Sequence, residues 1–301
     1  VSPAVSPSLR TFVQMAPTPA PARSLSPLLF SAGSDCVTHR ILCYGDSLTA
    51  GFYSGGRWFQ PYGRALANEI AAYGVSCEVA VCGLTGMTAE EMAQGSHASL
   101  VDQCGIPWKG LARVLDEDGP FDLVIIMAGT NDLPYAHTRA TAAANLRQLH
   151  LACHRHNVPT IALAPPPAPV GNQRWRNNRQ VLLEEMVVEL RDLRAQVTCM
   201  DPGQMLLATD AMMWDPDGLH FSQIGSYALG KSLAKSVLEV CDPSEDGTPR
   251  RFERRKGLKV PACPLSRQLL ALKLACAAED VMQVPTILSC STDACLPKVA
   301  A

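Results

Sequence analysis

No apolar run in this chain approaches the roughly 20 residues that cross a bilayer. The greasiest stretch, residues 121–128, is only strand-sized. Charge of one sign is also missing. The net charge is −2 over 301 residues, so nothing pulls the whole chain toward nucleic acid or an anionic membrane. The twelve cysteines include no Cys-x-x-Cys pair, and no Cys/His grouping has zinc-finger spacing. His154 and His156 stand two apart on an expected helix and do not face one another, so a metal site is not expected there. Asp and Glu are absent from the first 34 residues, which hold Arg10 and Arg23 among Ser, Pro and Ala. That composition is disordered, and reads either as a flexible tail or as something like an organelle transit segment. The chain does not begin with Met.

What is present supports a sizeable core, since 47% of the residues are hydrophobic. Cys43, Cys82 and Cys199 lie inside apolar strand-like runs, where a free thiol packs as a small hydrophobe. Mostly reduced cysteines suit a reducing compartment, with some disulfides left open. From residue 40 onward, strand-like and helix-like segments alternate. Strands are expected at 40–44, 77–82, 122–128, 159–164 and 196–200. Each is continuously apolar rather than alternating, as in a sheet covered on both faces. Helices are expected over about 58–73, from Thr88 onward, and over about 138–156, 174–194 and 223–240. Thr88-Ala89-Glu90-Glu91 matches a capping box. Leu182, Met186, Leu190 and Leu193 form one apolar stripe, and Ala228, Leu229, Leu233 and Val237 another.

Strands alternating with helices predict right-handed crossovers and a parallel sheet. The expected architecture is a three-layer α/β/α sandwich on five parallel strands. Four segments divide the chain: a disordered 1–39, a domain over 40–241, a Pro-rich and charged linker over 242–264, and an extension over 265–301 with one candidate helix at 266–281. Arg250 to Lys256 reads as solvated linker.

Ser47, in Gly45-Asp46-Ser47-Leu48, directly follows the first strand. Gly86 follows the second, in Gly83-Leu84-Thr85-Gly86. Asn131 follows the third, in Gly129-Thr130-Asn131-Asp132. Asp217 and His220 precede the last helix. The carboxyl edge of a parallel sheet is where such folds bind ligands. A serine hydroxyl needs a base to take its proton as it attacks a carbonyl. Of the seven histidines, only His220 has a carboxylate three residues earlier in a glycine-containing loop, and Asp217 there would fix its tautomer. Asp215 is the rival acid. Backbone amides of Ser47 and Gly86, with the side chain of Asn131, would serve the oxyanion of acyl transfer. Gly83 is the alternative glycine, and Asp132 reads as structural. Met205, Met212 and Met213 beside Trp214 read equally as acyl pocket or as packing. The Gly-x-Ser-x-Gly elbow is absent, so a sharp strand-to-helix turn at Ser47 is not expected.

These segments resemble the SGNH (GDSL-type) hydrolase family. Its four named residues match Ser47, Gly86, Asn131 and His220, and its triad acid matches Asp217. The likeness covers about residues 40–240. The runs Asp122 to Asp132, Ala164-Pro165-Pro166-Pro167 and Asp217-Gly218-Leu219-His220-Phe221 look like those of bacterial-type arylesterases and acyltransferases. The resemblance implies a flavodoxin-like sandwich and a serine esterase that works without a cofactor on small or lipid esters, by hydrolysis or by acyl transfer. A lysophospholipase or thioesterase would use the same machinery. A non-catalytic interaction protein on this scaffold is the remaining alternative. No nucleic-acid partner and no transmembrane segment are expected. Substrate, oligomeric state and compartment are left open.

Overall fold

The computed structural model describes residues 25–33, 38–135 and 139–241. Within them the strands are β1 (Leu28–Ala32), β2 (His39–Gly45), β3 (Phe52–Tyr53), β4 (Trp58–Phe59), β5 (Cys77–Gly83), β6 (Ser99–Val101), β7 (Pro107–Lys109), β8 (Leu123–Met127), β9 (Thr160–Leu163) and β10 (Val197–Met200). The α-helices are α1 (Ser47–Ala50), α2 (Tyr62–Ala72), α3 (Ala89–Gln94), α4 (Leu111–Asp118), α5 (Arg139–Arg155), α6 (Gln173–Glu189) and α7 (Gln223–Cys241).

The continuous apolar runs become a sheet because both of its faces are covered. Leu42 and Tyr44 of β2, with Val124 and Ile126 of β8, point to one core with Met92, Leu111, Leu146 and Leu182. Ile41 and Cys43, with Leu123, Ile125 and Met127, point to the other with Leu66, Ile70, Leu229 and Val237. Thus α3, α4, α5 and α6 cover one face, while α2 and α7 cover the opposite one. The two covering helices of that second face approach closely. A Cβ on Gly230 of α7 would lie 2.2 Å from the Tyr62 carbonyl oxygen of α2.

The sheet runs in the order β1-β5-β2-β8-β9-β10, with the ribbons β3–β4 and β6–β7 outside it. The five strands from β5 to β10 are mutually parallel. Their order is the flavodoxin-like 2-1-3-4-5, whose switch point lies between β2 and β8. The sixth strand corrects the five-stranded expectation. β1 pairs antiparallel with β5, in the stretch whose composition reads as disordered. It is half-buried and alternating, and it is ordered by the otherwise open edge of β5. Residues 1–24 and 34–37 of the segment expected to be disordered, the linker 242–264 and the extension 265–301 with its candidate helix 266–281 lie outside the described residues.

Other differences have local causes. The helix expected from 58 begins at Tyr62. Pro61 favours extended backbone at the residue before it, and Trp58–Phe59 pairs instead with Phe52–Tyr53 across a Gly55-Gly56 turn. The short α4 buries Leu111, Val114 and Leu115 on one stripe and was not anticipated. Thr88 and Glu91 form their reciprocal capping box. Cys199 is exposed rather than core, because β10 is an edge strand. The described cysteines (43, 77, 82, 104, 153, 199 and 241) are all free thiols.

Candidate active site

Ser47 stands at the switch point. β2 ends at Gly45, the Asp46 amide donates to the Met127 carbonyl of β8 at 3.2 Å, and Ser47 is the first residue of α1. The strand therefore does turn into a helix within one residue, against expectation. Asp46 makes this possible, since its Oδ1 caps the helix by accepting from the Leu48 amide at 3.0 Å. The serine needs no left-handed backbone there: Ser54 and Asn157 are the non-glycine residues with positive φ among those described. Asp46 is fully buried, and burial pushes its carboxyl up to about 6 despite the Leu48 amide.

The loop after β5 carries the two glycines. Gly83 ends the strand where a Cβ would lie 2.3 Å from the Ala50 nitrogen, so its missing side chain admits α1. Gly86 has φ +78, a conformation that glycine adopts freely. Its carbonyl accepts from Gln103 Nε2 at 3.1 Å. Asp102, which sequence reasoning missed, braces this loop. Its carboxylate accepts from the amides of Thr85, Cys104 and Ile106 and from the Trp108 indole. An Asp between alternating loop residues was the available signal.

Asn131 lies in a 3-10 turn (Thr130–Asp132) after β8. One of its amide hydrogens goes to the Met87 carbonyl at 2.9 Å, and among the described residues the second hydrogen has no acceptor. Beside it, Asp132 Oδ2 accepts from the Ala89 amide at 3.0 Å. The loops after β5 and β8 are therefore strapped together at two points. Burial raises the Asp132 carboxyl to about 6, with further help from the negative charges of Asp46, Glu91 and Glu90.

The last loop closes the constellation. Asp217 Oδ1 accepts the amides of Leu219 at 2.8 Å and His220 at 3.0 Å. Its Oδ2 lies 2.6 Å from His220 Nδ1. His220 Nε2 in turn lies 3.0 Å from Ser47 Oγ, across 173 residues of chain. Burial alone would raise the Asp217 carboxyl, but the hydrogen bond from the His220 ring, the electrostatic attraction between the two groups and the two backbone amides outweigh it and hold Asp217 below the usual carboxylate range. An ionised Asp217 can only accept, so Nδ1 carries the proton and Nε2 faces the serine hydroxyl as acceptor. His220 is 4% exposed, and the Phe52 ring packs on its face. Asp215, the rival acid, is directed elsewhere: its Oδ2 accepts from the Ser54 amide at 3.0 Å.

The remaining candidates fall outside this cluster. Met212 is exposed, while Met205 and Met213 pack on the core under α7. The Pro165 carbonyl accepts from Arg179 Nε at 2.7 Å, and Arg179 also pairs with Asp201. On α5 it is His150 and His154, not His154 and His156, that share a partner, the Thr160 hydroxyl. Among the described residues no three His, Cys, Asp or Glu side chains converge as metal ligands. No helix among them is long and apolar enough to cross a membrane.

The chain is thus an α/β/α sandwich with a carboxylate, an imidazole and a serine hydroxyl in hydrogen-bonded series at the carboxyl edge of its sheet. Residues 43–228 match the model of the GDSL-like Lipase/Acylhydrolase family, and the chain belongs to that family. A lipase/acylhydrolase from Enterococcus faecalis is similar at 26% identity, over 71% of this chain and 100% of that one, with a TM-score of 0.48. A family 3 carbohydrate esterase from Clostridium thermocellum is similar at 18% identity, over 67% and 96%, with a TM-score of 0.52, a likeness of fold. Comparison with curated proteins returned no match.

Proposed function

We propose that the chain is a serine esterase of small carboxylic esters, with Ser47 as nucleophile, His220 as general base and Asp217 as its orienting acid. The observation that carries this reading is the unbroken series of contacts from Asp217 Oδ2 to His220 Nδ1 at 2.6 Å and from His220 Nε2 to Ser47 Oγ at 3.0 Å. Ser47 Oγ attacks the ester carbonyl while Nε2 takes its proton. The oxyanion of the tetrahedral intermediate is held by the Ser47 and Gly86 amides and the free hydrogen of the Asn131 side chain. Among the described residues no acceptor occupies either backbone amide. Each such donor contributes about 2.7–4 kcal/mol in comparable sites. The imidazolium then protonates the departing alkoxide, and the acyl group stays on Ser47. Water, or a second alcohol, attacks that acyl-enzyme with His220 again as base, which regenerates the serine.

In this reading residues 40–241 are the hydrolase unit, and the segments on either side are accessory to it. Ser47→Ala is expected to abolish hydrolysis of nitrophenyl acetate and labelling by a fluorophosphonate probe, with an unchanged circular-dichroism melt. Full turnover in that variant would refute the assignment. Analysis of products in the presence of an added alcohol separates hydrolysis from acyl transfer.

A further inference from the structure

We infer that Phe52 is a positioning residue for the His220 imidazole, pressed against the ring by the short β3–β4 ribbon; this rests on the esterase reading of Ser47 and His220. The ribbon residues Ser54, Gly55, Arg57 and Trp58 are exposed, yet Phe52 is buried to 3%. Its ring centroid lies 4.5 Å from that of His220, with the planes at 40°. The phenyl ring is itself confined. Phe59 meets it edge-on, with centroids 5.8 Å apart and an interplanar angle of 81°. On another side it packs on the backbone of Gly56, where a Cβ would come within 2.6 Å of Phe52 Cε2.

The ribbon is fastened to the loop it steadies. At its base the Gln60 amide donates to the Gly51 carbonyl at 2.6 Å. At its tip the Ser54 amide donates to Asp215 Oδ2 at 3.0 Å, and the Asp215 amide donates to the His220 carbonyl at 2.8 Å. Gln223 Nε2 donates to the Tyr53 hydroxyl at 2.6 Å. One aspartate thus ties both the ribbon and the backbone of His220.

The physical need is geometric. The imidazole turns about its Cβ–Cγ bond, and hydrogen bonds at Nδ1 and Nε2, which tolerate a spread of angles, leave it some freedom to rock. A contact on its face removes that freedom. Tilt matters because Nε2 must address Ser47 Oγ first and the leaving oxygen afterwards, and proton transfer depends on alignment. When the ring gains its proton, the negative face of the phenyl group lies within the range of a cation–π attraction.

The test compares Phe52→Leu and Phe52→Met with Phe52→Tyr, which keeps the ring. The aliphatic variants are expected to lower kcat on nitrophenyl acetate by roughly three- to thirtyfold, with KM within about twofold of wild type. Phe52→Tyr is expected to remain near wild type. The low-field NMR resonance of the His220 Nδ1 proton, assigned by its loss in His220→Gln, should broaden in the aliphatic variants and stay sharp with tyrosine. Unchanged kcat together with a sharp resonance in whichever aliphatic variant folds would overturn the inference. Retained hydrolysis in Ser47→Ala would sink the esterase reading instead, and the Nδ1 resonance would still report on whether Phe52 holds the ring.

Discussion

Replacing Asp217 by asparagine should damage catalysis more than its near-identical shape suggests. Asp217 Oδ1 accepts two backbone amides, from Leu219 and His220. An asparagine must keep its carbonyl oxygen there, because an amide nitrogen at that point would face two N–H donors. Its NH₂ group then takes the place of Oδ2, 2.6 Å from His220 Nδ1. A donor at that point forces Nδ1 to accept, which moves the imidazole proton to Nε2. Nε2 can then no longer receive the Ser47 proton. The same tautomer inversion in another serine-hydrolase triad costs about 10⁴ in kcat, or roughly 5 kcal/mol at 1.36 kcal/mol per decade. Initial rates of nitrophenyl acetate hydrolysis, at saturating substrate and neutral pH, measure it directly. KM and the thermal transition should change little, because the loop's amide contacts survive. Asp217→Ala is a cruder variant, since it removes the carboxylate and also leaves the Leu219 and His220 amides without their acceptor, so it should lower kcat comparably and the thermal transition as well. Asparagine activity above about a tenth of wild type would mean that the hydrogen bonds at this loop do not govern the imidazole as argued.

Acid should destabilise the protein partly through His150, whose burial holds it down to about 3. Between pH 6.5 and 3 the unfolded chain binds a proton at this position that the folded chain refuses, so its contribution is intact above 6.5 and fades as pH falls toward 3. About two pH units below 6.5 the loss is roughly 2–3 kcal/mol at 1.36 kcal/mol per unit. Urea unfolding of wild type and His150→Gln at pH 7 and about 4.5 should show the variant losing that much less on acidification; parallel losses would refute it. Gly230→Ala should lower stability by about 1–3 kcal/mol or more, since its Cβ would meet the Tyr62 carbonyl at 2.2 Å. An unchanged melting temperature would mean that α2 and α7 are not packed as described.

Much of this molecule was legible because its signals are local. The runs around residues 40–44, 77–82, 122–128, 159–164 and 196–200 are too short for helices and too apolar for loops, and each is a strand of the parallel sheet. The stripe of Leu182, Met186 and Leu190 lies in the core as its spacing requires. The illegible parts depend on neighbours that no window contains. β1 is a strand only because β5 offers it an edge. Trp58 and Phe59 leave the helix pattern because Phe52 and Tyr53 pair with them. Cys199 reads as core from its run, yet an edge strand leaves it exposed.

The order of residue types along the chain was enough to specify an α/β layer structure, since polarity, periodicity and turn chemistry act over a few residues, and its motifs, through their resemblance to a family, were enough to put forward Ser47, Gly86, Asn131, Asp217 and His220 as candidates. Distance between chain-remote groups is a different kind of property. Only packing of two helical layers on a six-stranded sheet brings Ser47 Oγ to 3.0 Å from His220 Nε2. The same packing sends Asp215 to Ser54 rather than to the imidazole, and sets Phe52 on the ring. Those outcomes follow from how excluded volume and buried hydrogen bonds are satisfied together, and no short stretch of sequence contains both partners.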